Sequence, residues 1–389
     1  MEFNTMVIKL NIIGNFFGSD GYSSHTRQLA NALNDLDEVE VTMTTNIPQG
    51  WETVVSDKEM EMLKRDREKC DTILCIATPP SWKYYMCEGK KFIGFCINEG
   101  DVINSSWLEI MADDRVNTIF VASEHSKAGI LNTEIGIKKY NNFTGWTEDE
   151  KGMNREKIKE KIKNKIHIIP HGVNIDIFKP QPIDHKEFTF VANKGFRNLE
   201  DRGGLQYLLK AYLEEFTSKD NVNLLMKLNP AYGIPNIHQF IKELKIENKD
   251  LPKLNLMVEN LRYEELQKIY NMGVVFVSPT RSEAFNLGCI EAMACGLPVI
   301  TTDFGGQTDF VEDLENGWLI SGELKLVEHE IEYEGIQWLT PDISFLRNIL
   351  RKVYESASFI SYKENALKTA KEYTWQHSAD KALNALKTL

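Results

Sequence analysis

The sequence predicts an α/β protein built from two Rossmann-like, doubly wound domains. Three observations carry that expectation. Short apolar runs alternate with helix-like runs along the chain, the pattern of a three-layer α/β architecture. The 389 residues suffice for two separate cores rather than one. Finally, a β-branched apolar run at 273–278 leads through a polar turn into an apolar helix from about Asn286 to Cys295, stopped by Gly296 and Pro298, as a buried parallel strand feeding a helix does.

The elements follow in order. A strand at 7–13 opens the first domain; a loop with Gly14, Gly18 and Gly21 leads to a helix from about Ser24 to Leu33. That loop is neither Gly-x-Gly-x-x-Gly nor a Walker A sequence, so the usual dinucleotide and NTPase readings are weak. Strands are expected at 39–43, 72–77, 91–97, 118–122 and 166–169. The run 92–101 ends in a polar tip with Glu99 and Asp101, and ligand-facing residues of open α/β sheets gather at such carboxyl ends. Glu99 is a candidate there; capping of the next turn is the plainer alternative. In 139–164, Ile158 and Ile162 begin a four-residue repeat that ends at Ile166, amid Lys157, Lys159, Lys161, Lys163 and Lys165. The lysine-rich stretch 151–165 is either a solvated face or a surface for an anionic acceptor or a membrane. Residues 181–184 read as a linker. The second domain, 184–370, has strands at 188–192, 222–227, 254–258, 273–278 and 298–301, with helices at 205–216 and 263–271.

Composition excludes several functions. Net charge is −12, with 22 basic against 27 acidic residues up to Pro180 and 23 against 30 beyond it. Neither half is a basic module, so a nucleic-acid binder is not expected, and an anionic ligand would be held by a few placed cations. The six cysteines form no Cys-x-x-Cys pair and mostly lie in apolar runs; free thiols in a reducing cytoplasm are expected, without metal ligation. The first six residues lack the features of a signal peptide, and no run approaches the ~18 apolar residues of a membrane span. A cytoplasmic protein is the expectation.

The chemistry concentrates in 281–300. Glu283 and Glu291 stand eight residues apart, the first on the turn and the second about one turn inside the apolar helix. Glu283 alone would pass for a helix-capping residue. A carboxylate in an apolar helix, however, is costly to bury without a hydrogen-bonding partner. Between the two lies a helix N-terminus, whose amides and dipole favour an anion. Carboxylate, anion site and carboxylate fit sugar hydroxyls, a pyrophosphate and ribose hydroxyls in a row. Arg197 and Arg202 follow the first strand of the second domain; fixed cations lower the barrier to departure of a diphosphate, and arginine's fork suits two phosphate oxygens.

The segment 278–318 resembles the signature of the retaining, nucleotide-sugar-dependent glycosyltransferases of family 4, the glycosyl transferases group 1, which have the two-domain GT-B fold. Their Glu-x7-Glu pattern and following residues are matched by Glu283, Glu291, Gly296, Pro298, Gly305, Gly306, Asn316 and Gly317. The resemblance implies that Glu283 contacts the donor sugar, Glu291 the ribose, and amides around Phe285, Asn286 and Leu287 the phosphates. Ala284 and Asn286 stand where the family often has glycine. The family's Arg-x4-Lys pair maps onto Arg197 and Arg202. Its opening loop is matched through Gly21, His25, Leu29, Ala30 and Leu33, with Asp20 in place of the first glycine; Gly21 is thereby a donor-binding candidate and His25 an acceptor-facing one. Glu99 resembles a branch with Glu where other members present a His near the reacting sugar. The resemblance also makes 139–164 an insertion and 168–180 an interdomain turn. It makes 371–389 a closing helix on the first domain, which would then run over 1–183.

The function expected from these readings is a retaining hexosyltransferase. It would move a sugar from a nucleotide-diphosphate sugar, held mainly by the second domain, to a glycan, lipid or small-molecule acceptor on the first. No cofactor or metal is expected. The alternatives are a sugar-nucleotide epimerase of the same fold and an inactive nucleotide-sugar binding subunit.

Overall fold

The computed structural model describes residues 7–18, 20–46, 55–134, 148–233, 236–248, 250–328, 335–356 and 358–389. Residues 139–147 of the expected insertion lie outside this set. The chain divides into two compact units, one comprising 1–171, 328–336 and 375–389 and the other 172–327 and 337–374.

In the first unit, β1 (Ile8–Gly14), β2 (Val39–Thr45), β3 (Thr72–Ile76), β4 (Lys91–Cys96), β5 (Val116–Val121) and β6 (Ile166–Ile168) form one sheet in the order β2-β1-β3-β4-β5-β6. All its pairings are parallel. Both faces of such a sheet are covered, which is why its strands read as continuous apolar runs. The helices are α1 (Gly21–Asn34), α2 (Asp57–Lys64), α3 (Pro79–Trp82), α4 (Ser106–Met111), α5 (Glu124–Asn132) and α6 (Glu148–Lys163). Ile13, Trp82, Phe92, Leu108, Val121 and Ile130 sit in one core. Ile162 of α6 is fully buried there, with Ile158 and Ile166 packed against it. The isoleucine stripe is thus consumed by the core of its own unit. Lys161 pairs with Asp114 and Lys165 donates to the Asp113 carbonyl. No helix among the described residues is long and apolar enough to cross a membrane.

In the second unit, β7 (Phe188–Lys194), β8 (Val222–Leu228), β9 (Lys253–Val258), β10 (Val275–Ser278), β11 (Val299–Thr302) and β12 (Gly317–Ile320) form a second sheet, ordered β12-β11-β10-β7-β8-β9 and again wholly parallel. Its helices are α7 (Leu205–Glu215), α8 (Ile237–Glu243), α9 (Tyr263–Asn271), α10 (Leu287–Ala294), α11 (Ile343–Tyr354) and α12 (Ile360–Glu372). A short antiparallel pair, β13 (Gly322–Leu326) with β14 (Gln337–Pro341), and α11 were not expected from the sequence. α13 (Trp375–Leu386) packs on α1 within the first unit. Phe190, Leu224 and Met226 point into a core with Leu208 and Tyr212 of α7 and Leu346 and Leu350 of α11. Successive strand residues face opposite sides, so Asn193 and Lys227, partners in register, face the side of α9. The strand order reverses between β7 and β10. In open α/β sheets ligands bind at the carboxyl ends of the strands at such a switch point.

Glycines fix the loops at this point. Gly204 has φ +77°, and a Cβ there would lie 1.8 Å from the Pro279 carbonyl oxygen. A Cβ on Gly306 would meet the Ala284 carbonyl oxygen at 1.9 Å, while the Gly306 amide donates to the Glu283 carbonyl at 2.8 Å. Gly306→Ala must therefore push backbone against backbone. It should destabilise the protein by about 1–3 kcal/mol or more. Gly21→Ala, where a Cβ meets nothing within 4 Å, should stay within about 0.5 kcal/mol of wild type. Urea unfolding of both variants checks the contrast, and equal midpoints would contradict it.

Candidate functional site

The strand-to-helix turn after β10 builds the site. Two glycines follow Arg202, and the loop they open is strapped to this turn: the Arg281 amide donates to the Arg202 carbonyl at 2.8 Å. The Arg202 guanidinium then donates to the Ser282 carbonyl at 2.6 Å and lies 3.1 Å from Glu283 Oε2. From the last residue of β7, Lys194 Nζ reaches Glu283 Oε1 at 2.8 Å and Asn286 Oδ1 at 3.0 Å. Glu283 therefore sits between two cations, its side chain 16 % exposed. Burial alone would raise its pKa, but Arg202 and Lys194 outweigh burial and hold the carboxyl at about 2. The cluster of one anion and two cations carries a net positive charge.

Asn286 caps α10 with φ +76° and ψ +70°. This left-handed conformation is costless for glycine and is tolerated by asparagine more readily than by most residues, which accounts physically for asparagine where the family often has glycine. Its amide also donates to Ser278 Oγ at 3.1 Å. Phe285 is buried against Phe310, and Leu287 begins α10, so 285–287 form the backbone that enters the helix N-terminus.

Glu291 is 8 % exposed, and the partner that its burial demands is Tyr270 of α9, whose hydroxyl donates to Oε2 at 2.7 Å. The same hydroxyl accepts from Asn193 Nδ2 at 3.0 Å. Burial pushes the carboxyl up to about 7, against the pull of Tyr270, Lys227 and Lys194. The pKa values of the two glutamates of one motif are thus shifted in opposite directions.

The remaining sequence candidates divide. Arg197 is exposed and lies over the Tyr232 ring, 5.4 Å from guanidinium carbon to centroid; of the two arginines, Arg202 is the one paired with Glu283. In the first unit, Asp20 caps α1 by accepting from the Ser23 amide at 3.0 Å and its hydroxyl at 2.7 Å, so this helix N-terminus already holds a carboxylate. Gly21 is exposed beside it. The Tyr22 hydroxyl donates to the Ile97 carbonyl at 3.2 Å, which brings the first turn of α1 to the end of β4 that carries the half-buried Glu99. His25 is 1 % exposed and stacked on His171 at 4.1 Å; burial and His171 push its pKa well below 6.5. It is a neutral member of an aromatic cluster with Phe95 and Trp375, rather than a solvent-facing group.

Sequence reasoning missed Lys194, Tyr270, Asn193 and Lys227. Position at the carboxyl end of β7 was the available signal for Lys194. Tyr270 offered none, because an apolar helix face accommodates tyrosine without any site.

Residues 196–329 match the family described as Glycosyl transferases group 1. The chain is 27% identical over 229 residues to a probable sucrose-phosphate synthase of Thermosipho melanesiensis, covering 58% of this chain and 48% of that protein. It is 26% identical over 214 residues to the GtfA subunit of a UDP-N-acetylglucosamine–peptide N-acetylglucosaminyltransferase of Streptococcus pneumoniae, 54% and 36% of the two chains. The chain thus spans about half or less of the length of these relatives. Its fold is that of a sucrose-phosphate synthase from Thermosynechococcus elongatus, with TM-score 0.65 at 16% identity over 98% of both chains. Anabaena Alr3699/HepE in complex with UDP-glucose gives 0.62 at 15% over 98% and 100%. The chain has the GT-B class of fold, and Glu283 and Glu291 lie within the segment that matches the group 1 glycosyl transferases.

The raised pKa of Glu291 has a signed consequence. Unfolded, the group ionises near 4.5; folded, near 7. The native state keeps a proton that the unfolded chain releases, so this contribution to stability is full below about 4.5 and is lost as pH rises to about 7. The loss is on the order of 3 kcal/mol. Glu291→Gln cannot ionise, so the stability of the free variant relative to wild type should rise by that amount between pH 5 and pH 8. Paired denaturation curves measure it, and a difference independent of pH would contradict the assignment.

Proposed function

We propose that the protein is a retaining glycosyltransferase that uses a nucleotide-diphosphate sugar. The observation that carries this reading is Glu283 held between Lys194 and Arg202 at the switch point of the second sheet, beside the N-terminus of α10. In this reading the donor's diphosphate lies on that N-terminus near Arg202 and Lys194, its sugar hydroxyls against Glu283 and its ribose toward Glu291. Anabaena Alr3699/HepE is known in complex with UDP and UDP-glucose, so uridine-diphosphate sugars are the first donors to test. The acceptor is placed on the first unit, with Glu99 as its candidate contact.

The reaction breaks the bond between the anomeric carbon and the diphosphate oxygen. Glu283 is already committed to two cations and to the Thr280 hydroxyl at 3.2 Å, which argues against a role as a nucleophile on the opposite face. The acceptor oxygen therefore attacks from the face the phosphate leaves, and its proton passes to a phosphate oxygen. The products are the glycoside, with its configuration retained, and a nucleoside diphosphate. Charge growing on that leaving group is met by fixed cations and helix amides, the role a divalent ion takes elsewhere.

Proton NMR of the fresh product should show the donor's anomeric configuration, with turnover unaffected by excess chelator. Arg202→Ala should lower turnover about a hundredfold or more, and more than Arg197→Ala. An inverted product, activity that requires a divalent metal, or wild-type turnover in the Arg202 variant would each overturn the mechanism.

A further inference from the structure

Lys227 in β8 is 8 % exposed and makes no hydrogen bond or ion pair among the described residues. A charge on a largely buried side chain that has no protein partner is a candidate for meeting the opposite charge of a ligand. Its flanking residues Met226 and Leu228 point into the core formed with α7 and α11. Lys227 therefore projects to the opposite face, beside its register partner Asn193. That face carries the hydrogen-bonded run Asn193, Tyr270, Glu291. Burial lowers the Lys227 pKa, and the Glu291 charge opposes this from a distance.

The cations at this end of the sheet are therefore not equivalent. Lys194 and Arg202 are in direct contact with Glu283. Lys227 has no such contact, so an arriving anion gains its interaction in full. We infer that Lys227 is a binding residue for the nucleotide part of the donor, its ammonium meeting a phosphate oxygen on the Glu291 side of the α10 N-terminus. The inference rests on the proposed function and adds a residue that the motif does not contain. Charge on that part of the nucleotide changes little during transfer. Lys227 consequently acts on the donor's ground and transition states alike, and its loss raises donor KM with little change in kcat.

Lys227→Met in the full chain tests this. Affinities for UDP, GDP, ADP, dTDP and inorganic pyrophosphate are measured by calorimetry. Affinity for the nucleoside of the tightest-binding diphosphate is measured by ligand-observed NMR. The diphosphate that wild type binds should bind at least tenfold more weakly to the variant, while nucleoside affinity stays within twofold. The free variant should melt at or above the wild-type temperature, because methionine keeps the buried apolar stem and no protein contact of the ammonium is lost. Diphosphate affinity within twofold of wild type would overturn the inference. A lower melting temperature with diphosphate and nucleoside binding lost alike would overturn it in favour of a structural role. If wild type binds none of these ligands, the proposed function itself falls, and this inference with it.

Discussion

The site depends on one electrostatic constraint: a largely buried carboxylate, Glu283, that must stay ionised. It does so because β7 ends in Lys194 and the following loop returns Arg202 to the same oxygens. Each surrounding feature serves that geometry. Gly204 lets the Arg202 loop approach the Pro279 carbonyl, and Gly306 lets the next loop lie on the backbone of 283–285. Thr302 Oγ1 donates to the Thr280 carbonyl at 2.6 Å and fastens the turn from the strand beside it. Sheet order supplies the space, since β7 and β10 are neighbours whose chains leave in opposite directions.

The second carboxylate obeys a different rule. Glu291 has no direct cation contact; it is buried in α10 with a tyrosine hydroxyl as its hydrogen-bond donor. Withdrawal of water raises its pKa more than Tyr270 and the two distant lysines lower it. Two glutamates eight residues apart therefore titrate on opposite sides of the ordinary carboxylate range, according to what the sheet and α9 place beside them. A ligand hydroxyl reaching Glu291 meets a group near its titration point, whereas one reaching Glu283 meets a fixed anion.

Much of this was legible in the sequence. The strand, turn and helix around Glu283 and Glu291 were set by an apolar run, a polar break and terminal glycine and proline, all local signals. The glycines at 305 and 306 were visible as a motif, although their reason, backbone contact with 283–285, is tertiary. What stayed hidden came from elements distant in sequence. Lys194 stands 89 positions before Glu283, and its role comes from strand adjacency rather than spacing. Tyr270 and Lys227 sit in runs whose burial patterns have no need of a site. Arg197 and Arg202 looked equivalent by residue type; loop geometry separates them. Asp20 read as a departure at a glycine position, and proves to be the cap of its own helix. The antiparallel pair at 322–341 lacked a tight-turn signal, since residues 327–336 separate its strands in the sequence.

In the proposed function the turn between β10 and α10, with Glu283 and its two cations, holds the donor. A crystal structure of the chain with the nucleoside diphosphate that stabilises it most tests this directly. The diphosphate should lie on the amides at the start of α10 within hydrogen-bonding distance of Arg202 or Lys194, and the ribose hydroxyls on Glu291. A nucleotide bound away from this turn, with Glu291 still closed on Tyr270 alone, would contradict it.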